Sequence, residues 1–318
     1  MKYKLILFLL FASPLFAQFT YAPFNVAGAT ATEVRGVNVN GEVAGFYKTT
    51  ACSDYNVQVS ICPTGGFKFV NGAYIKLMVP GSVTTAITGL NDFGDLVGYY
   101  SVKQSGCSSP VYHGFIWYHQ NVIRKIDAPG TGTCFTNGGP ITAPMGINKA
   151  GNVVGGIWAT GQNGTFPENG WVWVNGTFST MDPAAPGAAA PCCWSVNGIA
   201  NSGAISGNVF EADFFTAWFK AGTDEDFYTF VDDTYGTGVD SQTDVVGYSP
   251  VSGGYFAKHI ELNEGSNDGT EVQPGFIKVQ FPGASFNYPF ALNDLRWVAG
   301  TYVDSSGVYH GFIAKPTF

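Results

Sequence analysis

Charged side chains are scarce in this chain: Lys, Arg, Asp and Glu together make 12% of 318 residues, and histidine occurs four times. No Cys-x-x-Cys pair and no His-Glu-x-x-His run is present, which removes the common zinc motifs. Gly-x-Ser-x-Gly is missing too, and with it the usual sign of an α/β-hydrolase nucleophile. The formal net charge of −8 comes without a basic cluster, so neither nucleic acid nor anionic lipid is expected as a partner. Beyond the first 17 residues no apolar run is long enough to cross a bilayer, and membrane insertion is not expected.

Glycine, by contrast, is abundant, with 42 residues, and aromatics make 15% of the chain. Few Lys and Glu beside many Gly, Thr, Val and aromatic residues disfavour helices and suit strands joined by tight turns. The opening MKYKLILFLLFASPLFAQF has Lys2 and Lys4, an apolar stretch from Leu5 to Ala12, and Pro14 ahead of Ala17. This reads as a secretory signal peptide, residues 1–17, leaving 18–318 as one domain that is secreted, extracellular or periplasmic. Six cysteines in an exported chain read as disulfides. Cys52 and Cys62 share one loop and are expected to bridge. Cys107 and Cys134 lie in loops flanking the same unit and form a second expected bridge. Cys192 and Cys193 either bridge each other or pair elsewhere.

One segment recurs: GVNVNGEVAGFY from Gly36, GLNDFGDLVGYY from Gly89, GINKAGNVVGGI from Gly146 and GIANSGAISGNV from Gly198. Looser copies start at Gly238 and Ala291. Each reads as a hairpin whose turn glycine takes positive φ. Thr243 and Arg296 replace that glycine in the last two copies, so their turns are expected to differ or to be strained. A third strand follows each hairpin, marked by a small residue and an aromatic, and a fourth often ends in Pro-Gly. Four strands in about 50 residues is the size of a propeller blade. The chain finishes on a third strand, HGFIAKPTF, and the mature part starts on a fourth, FTYAPFNVAG. Pairing the two predicts an all-β, six-bladed β-propeller closed between its ends; an open β-solenoid is the alternative.

With GLNDFGDLVGYY, HGFIWY, IDAPG and VDSSGVYHGFI, the chain resembles the bacterial extracellular HAF-repeat proteins over nearly its whole mature length. The resemblance implies export and tandem repetition, and brings no agreed activity. The fourth unit departs furthest, with Ala200 in place of Asn.

VYHGFI occurs at Val111–Ile116 and at Val308–Ile313. His113 and His310 occupy a repeated strand position with no nucleophile in the motif, so a structural role is expected, bonded to a loop backbone. His119 and His259 are expected to be solvated. The Asp-box of sialidase propellers is absent. Asn38, Asn91, Asn148, Asp240 and Asn293 are expected to fold back onto their own turns rather than to hold a metal. The acidic stretches 223–227 and 261–271 lack the ligand spacing of a calcium loop. No metal and no cofactor is expected.

The long links fall on one face, the one that carries the cysteines. There Asp54, Tyr55, Phe135, Trp194, Tyr235 and Asp304 form a candidate ligand surface, since aromatic faces cover sugar C–H patches while polar groups take hydroxyls. The leading expectation is a monomeric, non-catalytic binding protein for a glycan or another extracellular macromolecule. The alternatives are a propeller glycoside hydrolase or polysaccharide lyase using Asp54, Asp304 and Asp232 or Asp233, and a structural cell-surface repeat protein. Convergent aromatics with scattered acids would mark binding, and convergent carboxylates with a raised pKa would mark catalysis.

Overall fold

The computed structural model describes residues 18–50, 59–134, 139–161, 164–181, 193–211, 214–220, 228–258 and 276–318. The signal-peptide segment and the acidic stretches 223–227 and 261–271 lie outside them, as do Cys52, Asp54, Tyr55, Phe135, Cys192 and His259. Among the described residues no helix is long and apolar enough to cross a membrane.

The described strands form six four-stranded antiparallel sheets, the arrangement of a β-propeller. After β1 (Phe19–Phe24), the first sheet holds β2 (Ala31–Val37), β3 (Val43–Lys48), β4 (Gly65–Val70) and β5 (Ala73–Leu77). The second holds β6 (Thr84–Leu90), β7 (Leu96–Val102), β8 (Val111–Trp117) and β9 (Ile123–Ile126). The third holds β10 (Ile141–Ile147), β11 (Val153–Gly161), β12 (Gly164–Val174) and β13 (Thr177–Thr180). The fourth holds β14 (Cys193–Ile199), β15 (Ile205–Glu211), β16 (Phe214–Lys220) and β17 (Tyr228–Asp232). The fifth holds β18 (Tyr235–Val239), β19 (Val245–Ser249), β20 (Gly253–Ala257) and β21 (Phe276–Val279). In the last, β22 (Phe286–Leu292), β23 (Val298–Val303) and β24 (Tyr309–Pro316) are completed by β1. Tyr21 lies opposite Ala314 and Pro23 opposite Phe312, so the two ends of the chain share one sheet, as expected. Residues 159–169, between the repeat's second and third strands, are largely strand, an extension of β11 and β12.

The first strand of each sheet is innermost. Residues of β2, β6, β10, β14, β18 and β22 together line a narrow axial cavity. Each of these strands carries one β-bulge, at Arg35, Thr88, Met145, Asn197, Thr237 and Phe290, and bulges sharpen the local bend. Thr88 donates its hydroxyl to the Pro144 carbonyl at 2.5 Å, and Thr237 does so to Pro289 at 2.7 Å, tying one innermost strand to the next.

The repeated Gly-aromatic pair now has a physical reason. Phe67, Phe115 and Phe312 are fully buried between sheets. The glycine before each faces the innermost strand of the following sheet: a Cβ on Gly66 would come within 2.7 Å of Ile87, and one on Gly114 within 3.1 Å of Pro144. VYHGFI is therefore a packing element. The apolar core lies between sheets in discrete clusters. One joins Phe19 of β1 to Phe256, Leu292 and Phe312, so the closing strand is also an apolar wedge.

At the far end of five of the six innermost strands the chain turns through an Asn or Asp, and at the fourth through Ala200. Asn91 Oδ1 accepts the N–H groups of Phe93 and Asp95 at 3.0 and 2.9 Å. The Asn therefore does fold back onto its own turn, and it also reaches the neighbouring sheet. Nδ2 of Asn38 donates to Asn91 O at 3.1 Å, Asn91 to Asn148 O at 3.1 Å, Asn148 to Ala200 O at 3.3 Å, and Asn293 to Asn38 O at 3.0 Å. Thr243 and Arg296 do not change the turn type. They sit at φ 65° and 60° where Gly41 and Gly94 sit at 79° and 86°, and so take the left-handed conformation that glycine adopts without cost. The fourth unit keeps the same four strands and bulge despite Ala200, which accepts the bond from Asn148 but has no amide to pass on.

A second-strand glycine is the least replaceable residue type here. A Cβ on Gly98 would fall on the carbonyl oxygen of Ala86. We expect Gly98→Ala to destabilise the protein by about 3 kcal/mol or more through overpacking of the bulge, read as a lowered Tm.

Candidate functional site: an aromatic patch beside the axis

The links from second to third strand, and from each sheet to the next, open at the end of the axis where the innermost strands begin. Cys107, between β7 and β8, and Cys134, between β9 and β10, lie there and form the expected disulfide. Cys62 is disulfide-bonded as well, while Cys52, its expected partner, lies outside the described residues. The same holds for Cys192, so the Cys192–Cys193 pairing lies outside them too; Cys193 opens β14 and is half-buried.

Aromatic rings converge at this end. Tyr235 at the start of β18 stacks on Tyr248 of β19, with centroids 4.6 Å apart and planes at 7°. Tyr248 meets Tyr288 of β22 edge-on at 5.0 Å, and Tyr288 packs against Phe286 at 4.5 Å and Tyr309 of β24 at 6.4 Å. Strand alternation puts Phe286, Tyr288 and Phe290 on one side of β22. Tyr235, Phe286, Tyr288 and Tyr309 are half-buried. Burial, and then the nearby Asp233 charge, push the Tyr235 hydroxyl up to about 12. Burial, then Tyr309 and Glu33, push Tyr288 up to about 12 as well. Both are hydrogen-bonding hydroxyls, not bases, at neutral pH.

A buried charged group borders the patch. Glu33 pairs with Arg35 at 2.6 Å and with Lys48 at 3.2 Å, and the Arg35 guanidinium lies 3.7 Å from the Phe290 ring centroid. The three carry one net positive charge, and Arg35 also lines the axial cavity of about 50 Å³.

The expected residues fare differently. Tyr235 belongs to the patch. Trp194 does not sit on a loop surface. It is the second residue of β14, 7% exposed, packed with Val154, Val196 and Val209 in the core between the third and fourth sheets. Asp304 heads the turn between β23 and β24. Its Oδ1 accepts the Ser306 hydroxyl and the N–H groups of Ser306 and Val308, and His310 Nε2 lies 3.1 Å from Oδ2. The Ser306 hydroxyl, Val308 and His310 hold that carboxyl well below its ordinary range. Asp233 is half-buried at φ 58°, next to the end of β17, whose last residue is Asp232.

His113 and His310 are bonded to side chains, not to the loop backbone expected. His113 Nδ1 lies 2.8 Å from Asp127 Oδ2, and His310 Nδ1 lies 2.8 Å from Asn25 Oδ1, the matching position at the end of β1. A tyrosine of the preceding strand covers each imidazole, Tyr100 at 5.4 Å and Tyr302 at 5.0 Å. Burial works to raise the Asp127 carboxyl, but His113 and Lys125 outweigh it and hold it below its ordinary value. His119 is exposed, and its backbone N–H and Nδ1 both meet Asp95 Oδ1, at 2.9 and 2.7 Å.

Glu33, Arg35, Lys48, Phe286, Tyr288 and Tyr309 were not singled out from sequence. The alternating FNYPF and the paired charges in TEVRGV were the available signals.

No family model matches the chain, and no curated protein matches it. Among solved structures it is similar to TolB from Acinetobacter baumannii, at 7% identity and TM-score 0.39 over 90% of this chain and 54% of that one. It is similar to Trypanosoma rangeli sialidase in complex with the inhibitor DANA, at 9% and 0.46 over 93% and 57%. It is also similar to the PQQ-bound aldose sugar dehydrogenase from Streptomyces coelicolor, at 9% and 0.43 over 94% and 98%. The chain therefore spans little more than half the length of the first two.

The loop through Gly132 closes against the His113–Asp127 pair and is stapled by Cys107–Cys134. Replacing both cysteines by serine is expected to cost about 2–4 kcal/mol, read as a lower Tm that reductant no longer changes.

Proposed function

We propose that this chain is an exported, six-bladed β-propeller that binds a glycan, without catalysis, through the aromatic patch at the cysteine-bearing end. Six sheets in cyclic order, with β1 completing the last, support the count of six blades. The Cys107–Cys134 bridge and the leader support export, since such bridges persist in oxidising compartments. HAF-repeat membership belongs to the same reading and rests on the repeated motifs.

The observation that carries binding over catalysis is the contrast between rings and acids. Tyr235, Phe286, Tyr288 and Tyr309 gather in one place and are only half-buried, which suits a sugar-binding platform. The carboxylates that face one another among the described residues, Asp240 with Asp244 and Asp294, lie at the other end of the axis from the rings. Asp304 is solvated and held ionised, which suits neither a general acid nor a paired base. The described carboxyl with a strongly raised pKa, Asp240, lies under the turns at the far end of the axis.

A screen of the mature chain against extracellular polysaccharides, with reducing-sugar release measured in parallel, tests this. Saturable binding without product is expected, and product would overturn it in favour of a hydrolase or lyase. Tyr288→Ala is expected to weaken binding at least tenfold, about 1.4 kcal/mol, while Asp304→Asn leaves it unchanged.

A further inference from the structure

Each innermost strand ends at Asn38, Asn91, Asn148, Ala200, Asp240 or Asn293. Where Asn stands, Oδ1 holds its own turn and Nδ2 donates to the main-chain carbonyl of the same position in the next sheet. Asp240 keeps the first half of this arrangement. Its Oδ1 accepts the N–H groups of Gln242 and Asp244 at 2.9 and 3.0 Å, matching Asn38 Oδ1 with Asn40 and Glu42 at 3.1 and 3.0 Å. Those bonds orient the carboxyl group as the amide is oriented elsewhere, which assigns Oδ2 the place of Nδ2, toward the carbonyl of Asn293 and, as Nδ2 of Asn38 and Asn91 also meets Glu42 and Asp95, toward Asp244. The two turns are also spaced as their counterparts are: Ser241 N–H donates to Asp294 Oδ1 at 2.9 Å, as Val39 N–H does to Asp92 Oδ1 at 3.2 Å. Oδ2 is buried and has no hydrogen-bond partner. Two acceptor oxygens cannot bond to each other, and an orphaned buried carboxylate oxygen is costly. One proton resolves both problems.

We propose that Asp240 is protonated in the folded chain and donates Oδ2–H to the Asn293 carbonyl, a bond between the fifth and sixth sheets that is lost as pH rises.

The surroundings agree. Among the described residues Asp244 on the same turn and Asp294 on the next are the acids that face Asp240, and the cation beside them, Arg296, is engaged by Asp244. The preceding turn brings Ser202, whose N–H donates to Ser241 Oγ, and no charge. Asp92 stands across the axis, joined to Asp294 through Asn201 Nδ2. Burial, then Asp244, push the Asp240 carboxyl up to about 7. A raised acid binds a proton in the folded state that the unfolded chain releases. Its contribution is thus complete below the ordinary aspartate range, falls as pH rises to about 7, and is flat above.

Asp240→Asn supplies the missing N–H permanently. Urea unfolding of the full mature chain and of this variant between pH 4 and 9 tests the proposal. Relative to Asp240→Asn, the wild-type unfolding constant is expected to rise by up to tenfold per pH unit between about 4 and 7, then level off. A ratio that does not change with pH overturns the assignment. Should the variant fail to fold, the infrared carbonyl band of a protonated carboxyl decides on the wild type alone. Its persistence above pH 5.5 supports the proposal, and its absence there overturns it.

Discussion

The close approach of neighbouring sheets at their glycines is the constraint on which everything else depends. Gly66, Gly114, Gly170, Gly254 and Gly311 each lie where a Cβ would strike the innermost strand of the following sheet. Without them the large apolar rings beside them could not lie flat between sheets, and the innermost strands could not converge on one axis. The bulges do the complementary work, bending those strands so that one side chain from each turns toward the axis. What stands in for a single continuous core is a set of inter-sheet clusters, most made by two neighbours and one, around Tyr99 and Trp158, by three.

That division explains why the repeats tolerate so much variation. A blade needs its glycines, its buried rings and its turn carbonyls, while residues outside these contacts are free to diverge. The fourth unit dispenses with the turn amide and still folds to the same four strands. Thr243 and Arg296 adopt the left-handed backbone that glycine would adopt more easily, and the surrounding hydrogen bonds hold them there. Aromatic residues at strand starts on the fifth and sixth sheets lie beyond these requirements.

Much of the architecture was legible because it is written in repeats. The four-strand unit, the Asn-headed turn, the Gly-aromatic pair and the sharing of a sheet by β1 and β24 all follow from short motifs with local causes. The patch was less legible because it is assembled across two sheets and bordered by a third. Tyr235 was found as an aromatic on the long links, but nothing in its neighbourhood pointed to Tyr288, Tyr309 or Arg35 more than 50 residues or a full circuit away. Trp194 misled for the opposite reason. It follows a long link and looks like a loop residue, yet β14 begins at Cys193 and strand alternation turns the indole inward. The partners of His113 and His310 needed the fourth-strand ends, Asp127 and Asn25, to be superposed as equivalent positions.

The junction of β1 with β24 also has a consequence for biogenesis. A polypeptide emerging from a ribosome or a translocon amino-end first presents Phe19–Phe24 long before its hydrogen-bonding mate exists. Until Tyr309–Pro316 arrives, that segment remains an unsatisfied edge able to recruit strands from other molecules. Such long-range pairing makes the final step of maturation slow and all-or-none, and truncation near the carboxyl end would be felt most at the opposite end of the chain.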